Sequence, residues 1–204
     1  MTIPLVSIAF LLTYLHKYTW HTLVDYKYLH ISIIAMAVLI FLFIPMIFLA
    51  NVNLMLFPER WAYIKGFLSA LMIPNVWPRY MEFIGACLTV TGLFVVWYNG
   101  RQSYPVDQLY KTWHRNELKR LGYYITVVGL GLQLVLGLIV LISLPAKGIN
   151  FEVIELMIFG GIMLLVAFWF AWKALSADNE GKRDNQFWKI ATSILFFILV
   201  YGGS

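Results

Sequence analysis

Long uninterrupted apolar runs are the feature that most constrains this chain. Five runs, the last cut short by the Gly-Gly-Ser end of the sequence, have much or all of the roughly 20 residues needed to cross a hydrocarbon core: 28–50, 78–98, 121–144, 153–172 and 187–201. Charged residues make up only 12% of the 204 residues, which is too few to cover a water-soluble globule. The sequence therefore predicts an all-α, polytopic transmembrane helix bundle, because helices satisfy their backbone polar groups internally in lipid.

Two further segments complete a single membrane domain over residues 1–204. Segment 3–24 is a candidate sixth span, because its apolar first half is followed by polar and aromatic residues of the kind found where a helix emerges into an interface. Segment 51–77 is amphipathic, with Trp61 and Trp77 among a few charges. Such a stretch is expected to lie along the outer interface rather than to cross the bilayer.

The distribution of basic residues predicts the orientation. If residue 28 lies on the cytoplasmic side, eleven of the 15 Lys and Arg residues fall in cytoplasmic segments. This bias agrees with the positive-inside rule, and it favours an outside C-terminus. The net charge of +5 follows from this topology, and it does not indicate a nucleic-acid partner. The four basic residues predicted outside are Arg60, Lys65, Arg79 and Lys147.

Several classes of chemistry lack their residues in this sequence. Cys87 is the only cysteine, which excludes an intramolecular disulfide, a thiolate metal cluster and a covalently attached c-type haem. The sequence contains no G-x-x-x-x-G-K-[ST], H-E-x-x-H or G-x-S-x-G motif, so nucleotide hydrolysis, zinc proteolysis and serine hydrolysis are not indicated. No arginine ladder for voltage sensing is present either.

Histidines inside or near the spans are the first candidates for a site. His30 lies one turn into the first strong span, where a neutral imidazole either binds a haem iron or donates a hydrogen bond to a neighbouring carbonyl or headgroup; both readings stay open. Candidate second ligands on the same side are His16, His21 and His114, with Met36 as a less specific one. His16 and His21 are five residues apart, about 140° around a helix, and do not share a face.

Glu82 is the candidate for proton chemistry. It lies on a helical stripe with Gly85, Thr89 and Gly92, at spacings of three, four and three residues. Small residues on one face let transmembrane helices approach closely, so the Glu82 carboxyl is expected to face protein rather than lipid. It is then either a proton acceptor that also hydrogen-bonds a quinol, or the partner of Arg79 in a local ion pair.

Other polar residues of the spans have simpler interpretations. Gln133 is flanked by Gly129 and Gly137 on one helix face, and we expect it to form an interhelical hydrogen bond worth about 0.6 kcal/mol. Glu155 is expected to be a solvated residue at a span boundary, and Pro45 can kink the first strong span. The sequence pattern does not predict an internal repeat.

Two short runs carry a resemblance to a known family. The run NVNLMLFP at 51–58 is followed by WPRYMEF at 77–83 and by a small-residue span. These runs resemble the membrane subunits related to subunit I of cytochrome bd-type quinol oxidases, especially shorter relatives found beside multihaem c-type cytochromes. There an N-x-x-L-M-L-x-P turn leads to a P-R-[YW]-L-H-F segment. The similarity extends over about residues 28–145, including the helix that ends at Pro145.

The resemblance implies a subunit of a respiratory complex in the bacterial inner (cytoplasmic) membrane. Such a subunit passes electrons between membrane quinol and a partner cytochrome, such as a multihaem cytochrome c, or a reductase. It implies haem b as a cofactor, with His30 as the position most like a retained family histidine. Glu82 stands where the family pattern has the histidine of P-R-[YW]-L-H-F, so no outer-side haem ligand carries over.

A haem-free structural anchor of a multisubunit complex is the alternative. It would position redox partners and contribute only packing surfaces, such as the stripe of Gly85, Thr89 and Gly92. A small transporter has weaker support, because no span carries a central charge.

Overall fold

The computed structural model describes residues 2–23, 25–101, 103–106, 112–143, 151–177 and 180–202, and this part of the chain is all-α, without a strand. A short 3-10 segment, Pro58–Tyr63, separates the second helix from the third. The all-α prediction is confirmed. The helices are α1 (Thr2–Tyr18), α2 (Lys27–Leu56), α3 (Phe67–Ala70), α4 (Val76–Gly100), α5 (Arg115–Ser143), α6 (Phe151–Leu175) and α7 (Glu180–Gly202).

Four helices are long and apolar enough to cross a membrane: α2, α4, α5 and the Ile154–Leu175 part of α6. These four correspond to the first four predicted runs. Helix α1 has 17 residues, a length of about 25 Å at 1.5 Å per residue, which is shorter than a hydrocarbon core. Helix α7 begins with several charged and polar residues before its apolar run. The count of five or six spans therefore stays a prediction.

These helices expose many large apolar side chains on their surface. In the most apolar 18-residue window of α2, only 11% of the residues are buried. Large side chains such as Leu39 and Phe48 are exposed along it. Exposed apolar surface on this scale is unfavourable in water and is consistent with a lipid bilayer around the helices.

The chain divides into two compact units, residues 1–80 and 81–204. In the first unit α1 packs along α2, with the rings of Phe10 and Phe41 edge to face at 5.5 Å. Pro45 lies inside α2 and has no N–H to donate to the preceding turn. The Tyr80 hydroxyl donates a hydrogen bond of 3.1 Å to the Leu42 carbonyl, three residues before the proline.

Helix α2 continues beyond residue 50 to Leu56, so the segment 51–77 begins as helix, and its place along the outer interface stays a prediction. Between residues 50 and 58 no glycine or proline interrupts the helix, and the Asn53 side chain donates to the Leu49 carbonyl at 2.9 Å instead of breaking it. After α2 the chain folds into short helical turns that leave Trp61 and Tyr63 exposed. These turns enclose a small core of Ala50, Phe57, Ala70, Leu71, Ile73 and Val76.

Helices α4 and α5 of the second unit are in backbone contact. A Cβ atom added to Gly129 would lie 2.6 Å from the Thr89 nitrogen and 2.7 Å from the Gly85 carbonyl oxygen. A Cβ atom on Gly92 would lie 2.5 Å from the Gly122 carbonyl oxygen. Only glycine fits at such distances, which is the small-residue packing expected of the α4 stripe.

This contact is built from two copies of one short motif. Residues 85–92 read GACLTVTG and residues 122–129 read GYYITVVG, so both follow the pattern G-x-x-x-T-V-x-G. The two copies pack antiparallel, because the start of one meets the end of the other at Gly85 and Gly129. The repeat is hard to recognise in the sequence because it is eight residues long and its two copies share only three small residues.

Helices α6 and α7 pack on the other side of α5. Alanines repeat on the inner face of α6, which lets it lie close to α5. The shared core consists of Val96, Tyr123, Val127, Leu130, Ala167, Ala171, Ala174 and Ile190.

The α4–α5 contact predicts opposite effects for two glycine-to-alanine changes. Gly129→Ala should lower the free energy of unfolding by about 1–3 kcal/mol, because the new methyl group meets backbone atoms that cannot move aside. Gly161→Ala on α6 is the matched control, since nothing lies within 4 Å of its added Cβ, and better helix propensity should stabilise it by up to about 1 kcal/mol. Unfolding of the purified protein in mixed detergent micelles measures both. Equal stability of the two variants would contradict the contact.

Candidate functional site

The hairpin of α1 and α2 brings two of the candidate histidines together. His16 lies two residues before the end of α1, and His30 lies one turn into α2. Their rings stack with centroids 3.9 Å apart and an interplanar angle of 24°. The Trp20 ring packs edge-on against both, at 5.7 Å from His16 and 5.2 Å from His30. We call these three side chains the histidine cluster.

Reciprocal hydrogen bonds fix both imidazoles. Nδ1 of His16 donates to the His30 carbonyl at 3.2 Å, and Nε2 of His30 donates to the His16 carbonyl at 2.9 Å. A carbonyl oxygen can only accept, so each of these ring nitrogens carries the hydrogen. In the neutral rings, Nε2 of His16 and Nδ1 of His30 then keep a lone pair.

The histidine cluster does not fit a bis-histidine haem. Two axial imidazoles approach one iron from opposite faces of a macrocycle, whereas the rings of His16 and His30 are in direct contact. Each ring taken singly has the usual chemistry of a metal-binding histidine, because a carbonyl holds one nitrogen and the other is available. Among the described residues, no three His, Cys, Asp or Glu side chains come together as a metal site.

The other two histidines have different local surroundings. His21 is exposed in the turn between α1 and α2, outside the ring stack. His114 precedes α5 in the second unit and begins that helix. Its backbone N–H donates to Oε2 of Glu117 at 2.9 Å, and its carbonyl accepts from the backbone N–H of Glu117 at 3.0 Å. The Glu117 carboxylate therefore caps the start of α5 from the third helical position, with His114 in the N-cap position.

The Glu82 carboxyl faces α5, as its stripe predicts. Its Oε1 lies 3.7 Å from the position that a Cβ on Gly137 would occupy. Two turns along α4, the Thr89 hydroxyl donates to the Gly85 carbonyl at 2.9 Å and shares its hydrogen with Oε1 of Gln133, which lies 3.4 Å away on α5. The predicted interhelical role of Gln133 is thereby confirmed, while the proton-accepting role of Glu82 stays a prediction. Glu155, by contrast, is exposed near the start of α6, as expected of a boundary residue.

A buried polar cluster joins α5, α6 and α7 at the end of the second unit where α4 and α6 finish. The Lys119 ammonium is buried, and it lies 3.0 Å from both carboxylate oxygens of Asp184. The fully buried Tyr123 donates its hydroxyl hydrogen to the Arg183 carbonyl at 3.1 Å. The Arg183 guanidinium in turn donates to the Ala177 carbonyl at 2.7 Å.

Sequence reasoning missed this cluster because it counted Lys119 only as a cytoplasmic loop charge. The helical spacing contained the necessary signal. Leu130, Val127 and Tyr123 lie on the buried face of α5, and one further step of four residues along the same face reaches Lys119. A lysine on a buried helix face needs a partner.

Comparisons of the chain with protein-family models, with curated proteins and with solved structures found no match. The family resemblance of the runs at 51–58 and 77–83 therefore stays a prediction. The same holds for each residue role that this resemblance implies.

The Lys119–Asp184 ion pair predicts an asymmetric response to mutation. Asp184→Asn should lower the free energy of unfolding by about 2–3 kcal/mol, because the buried ammonium loses the charged carboxylate that lies 3.0 Å from it. Lys119→Met should cost less than about 1 kcal/mol, because the apolar stem is kept and the Asp184 side chain, 51% exposed, is solvated by water.

Unfolding in detergent micelles measures both single variants and the double variant. The double variant should recover most of the stability lost in Asp184→Asn, since the buried ammonium is then absent. Greater damage from Lys119→Met than from Asp184→Asn would show that the pair does not act in this way.

Proposed function

We propose that the chain is a multi-pass membrane subunit of a respiratory electron-transfer complex, passing electrons between membrane quinol and a partner cytochrome or reductase. The proposal includes five membrane-crossing helices with α1 as a sixth, and a bacterial inner-membrane location with the basic end of the second unit in the cytoplasm. It is supported by the four long apolar helices and by the resemblance to bd-type subunit I. The observation that carries it is the single His30 ring one turn into α2, whose Nε2 is held by the His16 carbonyl while Nδ1 keeps a lone pair.

Burying an imidazole among apolar helices costs free energy unless the ring is hydrogen-bonded or binds a metal. Each ring of this pair donates one hydrogen bond and keeps a second nitrogen with a lone pair. His30 would hold the iron of a b-type haem without His16 as a second ligand, because the His16 ring stacks directly on it. A bound haem would supply the one-electron chemistry between quinol and the partner protein. The chain itself holds the ring in place through the His16 carbonyl.

Glu82 is the proposed proton acceptor for quinol oxidation. Quinol releases protons as it gives up electrons, and a carboxylate that faces a helix contact rather than lipid can accept one of them. Its position beside Gly137 leaves it part-buried between α4 and α5. Glu82 therefore offers a carboxylate that can accept a proton, at a position that is only partly exposed.

A haem-free membrane anchor is the second candidate, and one specific observation favours it. Both histidines already donate hydrogen bonds to carbonyls, so the polar groups are satisfied without a metal. In this case the exposed apolar faces would pack against other subunits, and the chain would carry no electrons.

A reduced-minus-oxidised absorption spectrum of the purified chain, and of the complex isolated with it, distinguishes the two candidates. The electron-transfer proposal predicts a b-type α-band that is lost in His30→Ala. His114→Ala is the matched control, because this exposed histidine begins α5 and should leave the band unchanged. A folded, intact complex without the band would leave the anchor as the function.

A separate variant tests the proton-acceptor role in the same preparation. Glu82→Gln should slow quinol-dependent reduction of the partner by about 100-fold, the lower range for loss of a general base, with the spectrum intact. Glu155→Gln, which removes an exposed carboxylate on α6, should change neither. A Glu82→Gln rate equal to that of the wild type would remove Glu82 from the proposal.

A further inference from the structure

A cavity of about 500 Å³ opens at the start of α5 and the end of α6, outside the histidine cluster. Its wall combines one basic, one acidic and two large aromatic side chains with a hydroxyl and aliphatic groups. The lining residues that matter here are Thr112, Trp113, Glu117, Arg120, Tyr124 and Leu175.

Arg120 gives the cavity its positive charge. The Arg120 side chain is exposed at the cavity wall, and it makes no hydrogen bond or ion pair to the described residues. The described residues of 99–120 and 173–189 include eight Lys or Arg residues against three Asp or Glu residues. Together they create a positive potential at this end of the second unit, which attracts an anion.

Glu117 is the one acid among the described lining residues, and one of its carboxylate oxygens is engaged at the start of α5. Its Oε2 accepts the backbone N–H of His114 at 2.9 Å, in the first turn of α5, where a helix also favours negative charge. An anion in the cavity would therefore be bound chiefly by Arg120.

A continuous apolar stripe leads from the cavity along α5. Its members recur every three or four residues, which places them on one helix face, and each is between 38% and 84% exposed. The first two members of the stripe also line the cavity. The members of the stripe are Leu121, Tyr124, Val128, Leu132, Val135, Ile139 and Ile142.

We propose that this cavity binds the phosphate headgroup of an anionic phospholipid, with an acyl chain of the same lipid lying along the α5 stripe. Arginine is well suited to phosphate because its planar fork donates two parallel hydrogen bonds. Trp113 and Tyr124 supply the amphipathic rings that are typical of headgroup depth. The apolar stripe selects a lipid over a soluble phosphate, because only a lipid covers both the charge and the exposed hydrocarbon.

Native mass spectrometry of the full chain in detergent tests the proposal by titration with phosphatidylglycerol and with phosphatidylcholine of the same acyl chains. The wild type should bind the first phosphatidylglycerol more tightly than phosphatidylcholine. Arg120→Gln should weaken phosphatidylglycerol binding about fivefold, the factor that corresponds to about 1 kcal/mol per basic residue. Lys173→Gln is the matched control, because it removes an exposed positive charge near the end of α6 without touching the cavity wall.

Glycerol 1-phosphate, added as a competitor, separates a lipid site from a simple phosphate site. The proposal predicts that it fails to displace phosphatidylglycerol at millimolar concentration, because it lacks the acyl chain. Displacement at that concentration would overturn the lipid assignment. Equal losses in Arg120→Gln and Lys173→Gln would show general charge attraction and would overturn the site.

Discussion

The backbone contact between α4 and α5 is the interaction on which the second unit depends. In lipid there is no hydrophobic force to bring helices together, so association relies on close packing and on interhelical hydrogen bonds. Two copies of G-x-x-x-T-V-x-G supply the close packing, and the Thr89–Gln133 bond adds a polar contact beside it. Helices α6 and α7 then pack on the face of α5 that α4 leaves open.

An apolar environment also explains how the polar groups are arranged. His16 and His30 satisfy each other through backbone carbonyls, Tyr123 is bonded to the Arg183 carbonyl, and Lys119 is paired with Asp184. In a low dielectric an unpaired group is costly, so these pairs tie helices together. Groups with unused bonding capacity then stand out as ligand sites. The proposed haem ligand and the proposed lipid site both rest on such unused capacity.

The sequence predicts the helical architecture well because a long apolar run in lipid forms a helix, which satisfies its own backbone polar groups. It also predicts the orientation of Glu82, because a stripe of small residues marks a helix contact. Helix ends are predicted less well: α5 begins at Arg115 rather than at residue 121, since a helix continues past the hydrocarbon boundary wherever its residues allow. The stacking of His16 on His30 depends on the turn between α1 and α2, and no pattern in the sequence defines that geometry.

The central claim is that lipid covers the exposed apolar faces of these helices. Single spin labels on α5, in a Cys87→Ser background, measure it most directly through relaxation by oxygen and by a water-soluble nickel complex in reconstituted bilayers. We predict high oxygen and low nickel accessibility at Leu132 and Val135, and low accessibility to both reagents at the buried Leu130. High nickel accessibility at Leu132 and Val135 would place this face in water and contradict the account.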